Sequence, residues 1–171
     1  MRARVDASLI VQFMRRLGAE ADAGRAYFTG GVTAVLHGWR PTTIDVDLAL
    51  VPEQERALRA LPLLKEELSL NVELVGPADF VPVPAGWEER SIFVAQEGSL
   101  SFFHLDPYAQ ALAKLERAHT QDLEDVRAMV ADGLVDPGRA LAYLGEIEPE
   151  LYRYPAVDPQ AFRERVEEAF D

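Results

Sequence analysis

The chain has 171 residues, 49% of them apolar, a net charge of −12 and no cysteine. That is enough for one core, or one core with a helical appendage, and it excludes a disulfide framework and a thiolate metal site. The acidity, with basic residues scattered along the chain, argues against non-specific DNA binding, and no uncharged apolar stretch approaches the length of a membrane span.

In chain order, Met1–Asp6 lacks the apolar run and cleavage site of a secretory signal, so a cytoplasmic protein is expected. Leu9, Ile10, Phe13, Met14 and Leu17 recur at helical spacing, predicting a helix over 6–20. A short strand over 25–29 runs into Gly30-Gly31, a short helix follows over 31–37, and 44–51 alternate as a strand. A helix over 53–68 opens after Val51-Pro52, and Pro62 is expected to kink or split it. A strand over 71–75, a proline-rich loop over 76–90, and a hairpin of 91–96 with 99–105 across Glu97-Gly98 complete the front of the chain. The rest is helical, over 107–117, 120–132, 137–145 and 159–170. Asp106-Pro107, Asp136-Pro137 and Asp158-Pro159 each pair an N-cap residue with a first-turn proline. The pattern predicts an α+β fold as a single compact unit: residues 1–105 form a mixed-sheet core flanked by helices, and 106–171 a helical region packed on it.

Within the strand at 44–51, Ile44, Val46, Leu48 and Leu50 share one face and Asp45 and Asp47 the other. Two aspartates about 7 Å apart on one strand face are unusual, because aspartate is disfavoured in strands. Left uncompensated in a cleft, the two charges would destabilise each other, whereas a hard divalent cation such as Mg²⁺ removes the conflict. The plain alternative is a solvent-facing strand side. Upstream, Tyr27-Phe28-Thr29-Gly30-Gly31-Val32-Thr33-Ala34 reads strand, tight turn, helix. Such a turn brings bare backbone N–H groups to a phosphate, or serves merely as a turn needing positive φ. The order of glycine turn, short helix and Asp-x-Asp strand favours triphosphate on one element and its metal on the other.

These residues, Gly30-Gly31 followed by His37-Gly38-Trp39-Arg40-Pro41-Thr42-Thr43-Ile44-Asp45-Val46-Asp47-Leu48, resemble the signature of the polymerase-β-type minimal nucleotidyltransferases. The likeness is nearest to the branch that includes AbiEii-like and MenT-like toxin enzymes and their uncharacterised relatives. Lys114-Leu115-Glu116-Arg117 and Gln121-Asp122-Leu123-Glu124-Asp125-Val126 are similar to that branch's later motifs, so the resemblance spans roughly residues 25–130. It implies that Gly30 and Gly31 line the phosphates and that Asp45 and Asp47 bind the catalytic metals. Lys114 would contact a nucleotide phosphate, and Asp122 would belong to the later acidic motif. Thr33 and Arg40 complete the nucleotide-binding candidates. Superfamily members often use a third carboxylate on a neighbouring strand, for which Glu73 is the positional candidate and Asp79 a weaker one; Glu73 is equally readable as an exposed strand residue. Two departures stand out: many members have Gly-Ser where this chain has Gly30-Gly31, and Gln121 replaces a basic residue.

Other readings remain for several of these residues. Lys114 is one of only two lysines beside fifteen arginines, which suits a site wanting a compact ammonium or a surface position. Arg40 could hold phosphate or pin the turn. Asp122 and Glu124 lie where a helix dipole alone explains acids. Trp39 could line a base or cover the core edge, and Phe102-Phe103 reads as core. His37, His104 and His119 show no metal-ligand spacing.

The expected activity is transfer of a nucleoside monophosphate from a nucleoside triphosphate to an acceptor hydroxyl, using one or two Mg²⁺ ions. The resemblance suggests a tRNA end or a protein hydroxyl as acceptor, a small molecule being a third option, and a role as a toxin–antitoxin component with a cognate partner. The rival expectation is a catalytically inactive binding module of the same fold, acting as an antitoxin-like or regulatory partner.

Overall fold

The computed structural model describes residues 4–171, so the tripeptide used in the argument about a secretory signal lies outside the described residues. The chain divides into two units, one of residues 1–76 with 91–104 and the other of residues 77–90 with 105–171.

The first unit holds a five-stranded mixed sheet in the order β3-β2-β1-β5-β4. Its strands are β1 (Gly24–Thr29), β2 (Asp45–Val51), β3 (Asn71–Leu74), β4 (Ile92–Glu97) and β5 (Leu100–His104). β1 runs antiparallel to β2 and parallel to β5, β2 runs parallel to β3, and β4 and β5 form the expected hairpin. Ala26 and Phe28 on β1, Val46, Leu48 and Leu50 on β2, Val72 on β3 and Phe102 on β5 build one apolar face. Three helices cover it: α1 (Ala7–Glu20), α2 (Gly31–Leu36) and α3 (Glu55–Glu67). α1 buries Ile10, Phe13, Met14 and Leu17, the stripe its spacing predicts, and Asp6 caps it by accepting from the Leu9 amide at 2.8 Å.

Three local expectations are corrected. Ile44 does not join the apolar face: β2 starts one residue later and Ile44 is 60% exposed. The Val51-Pro52 helix start moves downstream, with Gln54 at the N-cap and Glu55 first in α3. Pro62 does not split α3, because it stands on the exposed side, where the carbonyl it leaves without a donor can be hydrated.

The second unit is helical: α4 (Trp87–Arg90), α5 (Pro107–Arg117), α6 (Thr120–Ala131), α7 (Pro137–Ile147), a 3₁₀ segment Glu148–Arg153, and α8 (Pro159–Phe170). Asp106, Asp136 and Asp158 each accept from backbone amides of the helix they open, as the Asp-Pro pairs predict. The 3₁₀ segment and the single turn of α4 are unforeseen, being too short to carry a periodicity.

Residues 77–90, expected in the front core, belong to the second unit for identifiable reasons. Arg90 donates from Nε and Nη2 to Asp106 Oδ2 at 3.1 and 2.8 Å, and its guanidinium lies 4.3 Å from the Tyr143 ring centroid. Ala85 N donates to Glu146 at 3.0 Å, and Tyr154 OH donates to the Ala78 carbonyl at 2.6 Å. Asp106 is fully buried, so removing the guanidinium leaves a buried carboxylate without its ionic partner. Arg90→Ala is expected to lower unfolding stability by about 3 kcal/mol in denaturant titration, whereas Arg153→Ala, at an exposed pair, should change it by less than about 1 kcal/mol.

Candidate functional site

β2 occupies a central position between β1 and β3. Val46 and Leu48 point into the core, which forces Asp45 and Asp47 onto the opposite face, where both are half-buried. Register adds neighbours to that face. Asp47 is paired with Thr29 on one side and Glu73 on the other, and Asp45 with Asn71. Asn71 Nδ2 donates to Asp45 Oδ1 at 2.8 Å and reaches Glu73 Oε1 at 3.5 Å. Asn71 therefore orients one carboxylate and touches the other, a role the sequence reading missed. It was legible in principle, since Asn71 and Glu73 are two residues apart on one strand and must share a face. Farther along, the buried Tyr27 and Ala49 and the half-buried Phe103 continue the same surface, with the two rings stacked at 5.4 Å.

The glycine turn meets this face at the end of β1. Gly30 has φ +66°, and a Cβ placed on it would come within 2.7 Å of Asp47 Oδ2. A Cβ on Gly31 would overlap the Thr43 side chain. Thr43 cannot yield easily, because it is 8% exposed and exchanges two backbone hydrogen bonds with Val5, at 2.8 and 2.9 Å. The departure from Gly-Ser thus has a steric cause: a serine at 31 has no room beside Thr43.

The remaining nucleotide-binding candidates separate. Thr33 is 3% exposed, and its hydroxyl is hydrogen-bonded to His104 Nδ1 at 2.9 Å, on the helix-covered side of the sheet. The structure therefore gives Thr33 a structural role, anchoring α2 to β5. His37 Nδ1 donates to the Thr33 carbonyl at 2.8 Å, and its ring lies 4.6 Å from that of His104 and 4.9 Å from that of Trp39. His37 is thus stacked on Trp39 and tilted against His104, a contact made by the return of the chain through β5. Arg40 is half-buried, just past Gly38, which follows α2 with φ +81°.

Lys114 and Asp122 lie in the second unit, and their environment differs from the one the resemblance implies. Lys114 is 4% exposed and donates to Asp125 Oδ2 at 2.8 Å, with Asp122 Oδ1 at 3.8 Å. Asp122 accepts both arms of Arg117, at 2.9 and 2.7 Å, and the His119 amide at 3.1 Å. Burial opposes ionisation of Asp122, but the Arg117 fork and the Lys114 charge outweigh it and hold the carboxyl below its ordinary range. In this structure Lys114 is an internal counter-ion that joins α5 to α6.

Among the described residues no three His, Asp or Glu side chains are grouped as a metal cluster. Asp45 and Asp47 still offer two hard oxygen donors. Magnesium on a nucleotide takes most of its ligands from phosphate and water, so this donor set fits that ion without a protein-only cage.

A strand carrying paired aspartates beside a glycine turn, on a mixed sheet covered by helices, defines a nucleotidyltransferase-type fold. The chain belongs to the family of nucleotidyltransferases of unknown function (DUF6036), which it matches over residues 8–141. No curated protein and no solved structure matches it. None of its described helices is long and apolar enough to cross a membrane.

Three outcomes follow from this geometry. Gly31→Ser should lower stability by about 1–3 kcal/mol through overpacking against Thr43, read by denaturant melts. Lys114→Met should cost about 3–5 kcal/mol, because it removes the ammonium paired with the buried Asp125 carboxylate, and pairing it with Asp125→Leu should restore most of the loss. The third concerns pH. Burial, with His37 adding, lowers the His104 pKa from 6.5 to about 4. The folded state therefore favours the neutral ring, and its stability is full above pH 6.5 and declines as the pH falls towards 4. Wild type should lose about 3 kcal/mol over that window beyond whatever His104→Gln loses, measured by urea titration at each pH.

Proposed function

We propose that the chain is a magnesium-dependent nucleotidyltransferase that moves a nucleoside monophosphate from a nucleoside triphosphate to an acceptor hydroxyl. The observation that carries the reading is the placement of Asp45 and Asp47 on one half-buried strand face, with the side-chain-free Gly30 turn against the Asp47 carboxylate. Asp45 and Asp47 would hold the ion, with Glu73 in register beside Asp47 as the further carboxylate. Asn71 would keep Asp45 aimed. The bare backbone at Gly30 and Gly31 would let a phosphate approach more closely than any side chain permits. Bound magnesium would neutralise triphosphate charge and lower the pKa of the attacking hydroxyl. The protein's own share would be positioning: the sheet keeps the carboxylates rigid, and their partners keep them oriented.

For the acceptor, the net charge of −12 favours a protein hydroxyl or a small molecule over an RNA end. A place in a toxin–antitoxin pair rests on the family resemblance alone. A second reading, a nucleotide-binding module without turnover, is favoured by one observation: Lys114 is buried against Asp125.

Calorimetric titration of ATP, GTP, CTP and UTP with and without Mg²⁺ tests the proposal. One triphosphate should bind only with magnesium, and Asp45→Ala or Asp47→Ala should weaken it at least about tenfold while the melting profile stays cooperative. Pyrophosphate release on adding acceptor supports transfer; magnesium-dependent binding without release supports the binding module. A folded protein that binds no triphosphate overturns both.

A further inference from the structure

The second unit carries eighteen acidic and eight basic residues, a net charge of −10 out of the chain's −12. Seven of those basic side chains are engaged within the unit. Arg90 bonds Asp106, Lys114 bonds Asp125 and Arg117 bonds Asp122. Arg139 donates to Tyr143 OH, Arg153 pairs with Glu150 and Arg163 with Glu148 and Glu167. Arg165 donates to the carbonyls of Leu115 and Glu116 at 2.7 and 2.8 Å, closing the end of α5. Arg127 alone among the described basic residues of the unit makes no ion pair or hydrogen bond.

Arg127 stands at the edge of a cavity of about 630 Å³ walled by α5, α6 and α8. Its lining is largely apolar, with Leu115, Leu123, Val126 and Val130 the largest of the apolar side chains. The positions on α6 explain why it is left open. Asp122, Asp125 and Met129 are buried on that helix, while Leu123, Val126, Arg127 and Val130 fall at i, i+3, i+4 and i+7, one stripe along the cavity in which only Val126 is itself buried. A volume of this size, apolar with a few polar groups at its mouth, has the proportions of a small-molecule site and not of an extended helix groove.

We infer that this cavity is a binding site for a small amphipathic anion, an aliphatic chain with a carboxylate head, whose chain fills the space between α5, α6 and α8 and whose head pairs with Arg127. Charge decides the ligand class. In a unit this acidic, an uncommitted guanidinium beside an apolar cavity offers an anion a partner. Glu168, on α8, lines the same cavity and would repel a carboxylate head placed beside it. The site is independent of the triphosphate reading, since none of its residues is among those assigned to nucleotide, metal or transfer.

Calorimetry on the full chain with octanoate, decanoate and 1-octanol, below micellar concentrations, tests the site. Decanoate should bind saturably at one per chain, about tenfold tighter than octanoate for its two extra methylenes. Arg127→Gln should weaken both carboxylates about fivefold and leave 1-octanol unchanged. Val130→Trp, which fills the cavity, should abolish all three while the protein still melts cooperatively. No saturable binding of decanoate overturns the inference, and so does binding that ignores both substitutions. A wild-type dimer in light scattering that Val130→Trp converts to monomer also overturns it, since the cavity would then be the seat of a second copy.

Discussion

Gly30 and Gly31 sit where neighbouring side chains already fill the space a Cβ would need, Asp47 over the first and Thr43 over the second. Thr43 is held by its paired hydrogen bonds to Val5, and Asp47 by the pairing of β2 with β1 and β3. The passage from β1 into α2 is therefore fixed by close approach on both sides. That approach brings a carboxylate against bare backbone, and it starts α2 where Thr33 can reach His104. The candidate site and the helical cover of the sheet thus depend on the same few ångströms of packing.

The two faces of the sheet divide the labour. On the covered face, core side chains from α1, α2 and α3 exclude water, and the buried Thr33 and His104 satisfy each other. Burial keeps His104 neutral, as a hydrogen-bonded imidazole in apolar surroundings should be. On the opposite face, Asp45, Asp47, Glu73 and Asn71 gather oxygen-rich groups on adjacent strands in register. Side-chain alternation along β2 makes both arrangements from one strand: the residues that anchor the core compel the aspartates outwards.

The second unit uses charge differently. Its basic side chains are mostly engaged internally, and Lys114 with Asp122 and Asp125 ties α5 to α6 from inside. A buried pair of this kind is costly to break and modest in net stabilisation, so its contribution is as much to the register of two helices as to stability. The acid-rich motif there has an explanation in helix packing that holds whether or not a nucleotide is ever bound.

Much of this molecule is legible in the order of its residues. The α1 stripe, the Asp-Pro helix starts, the hairpin at Glu97-Gly98 and the common face of Asp45 and Asp47 all follow from periodicities and turn chemistry confined to a dozen neighbouring residues. Local spacing could not reveal what lies across the fold. Asn71 meets Asp45 only because β3 pairs with β2, and His37 meets His104 only because the chain returns through β5. Lys114 reads the same in sequence whether it faces a phosphate or Asp125; burial makes the difference, and burial is a property of packing between helices. Residues 77–90 left the front core for the same reason, since the Arg90–Asp106 pair and the Tyr143 ring that hold them belong to distant parts of the chain. Short-range physics set the elements and the carboxylate face; long-range packing decided which charges meet each other and which stay open to a ligand.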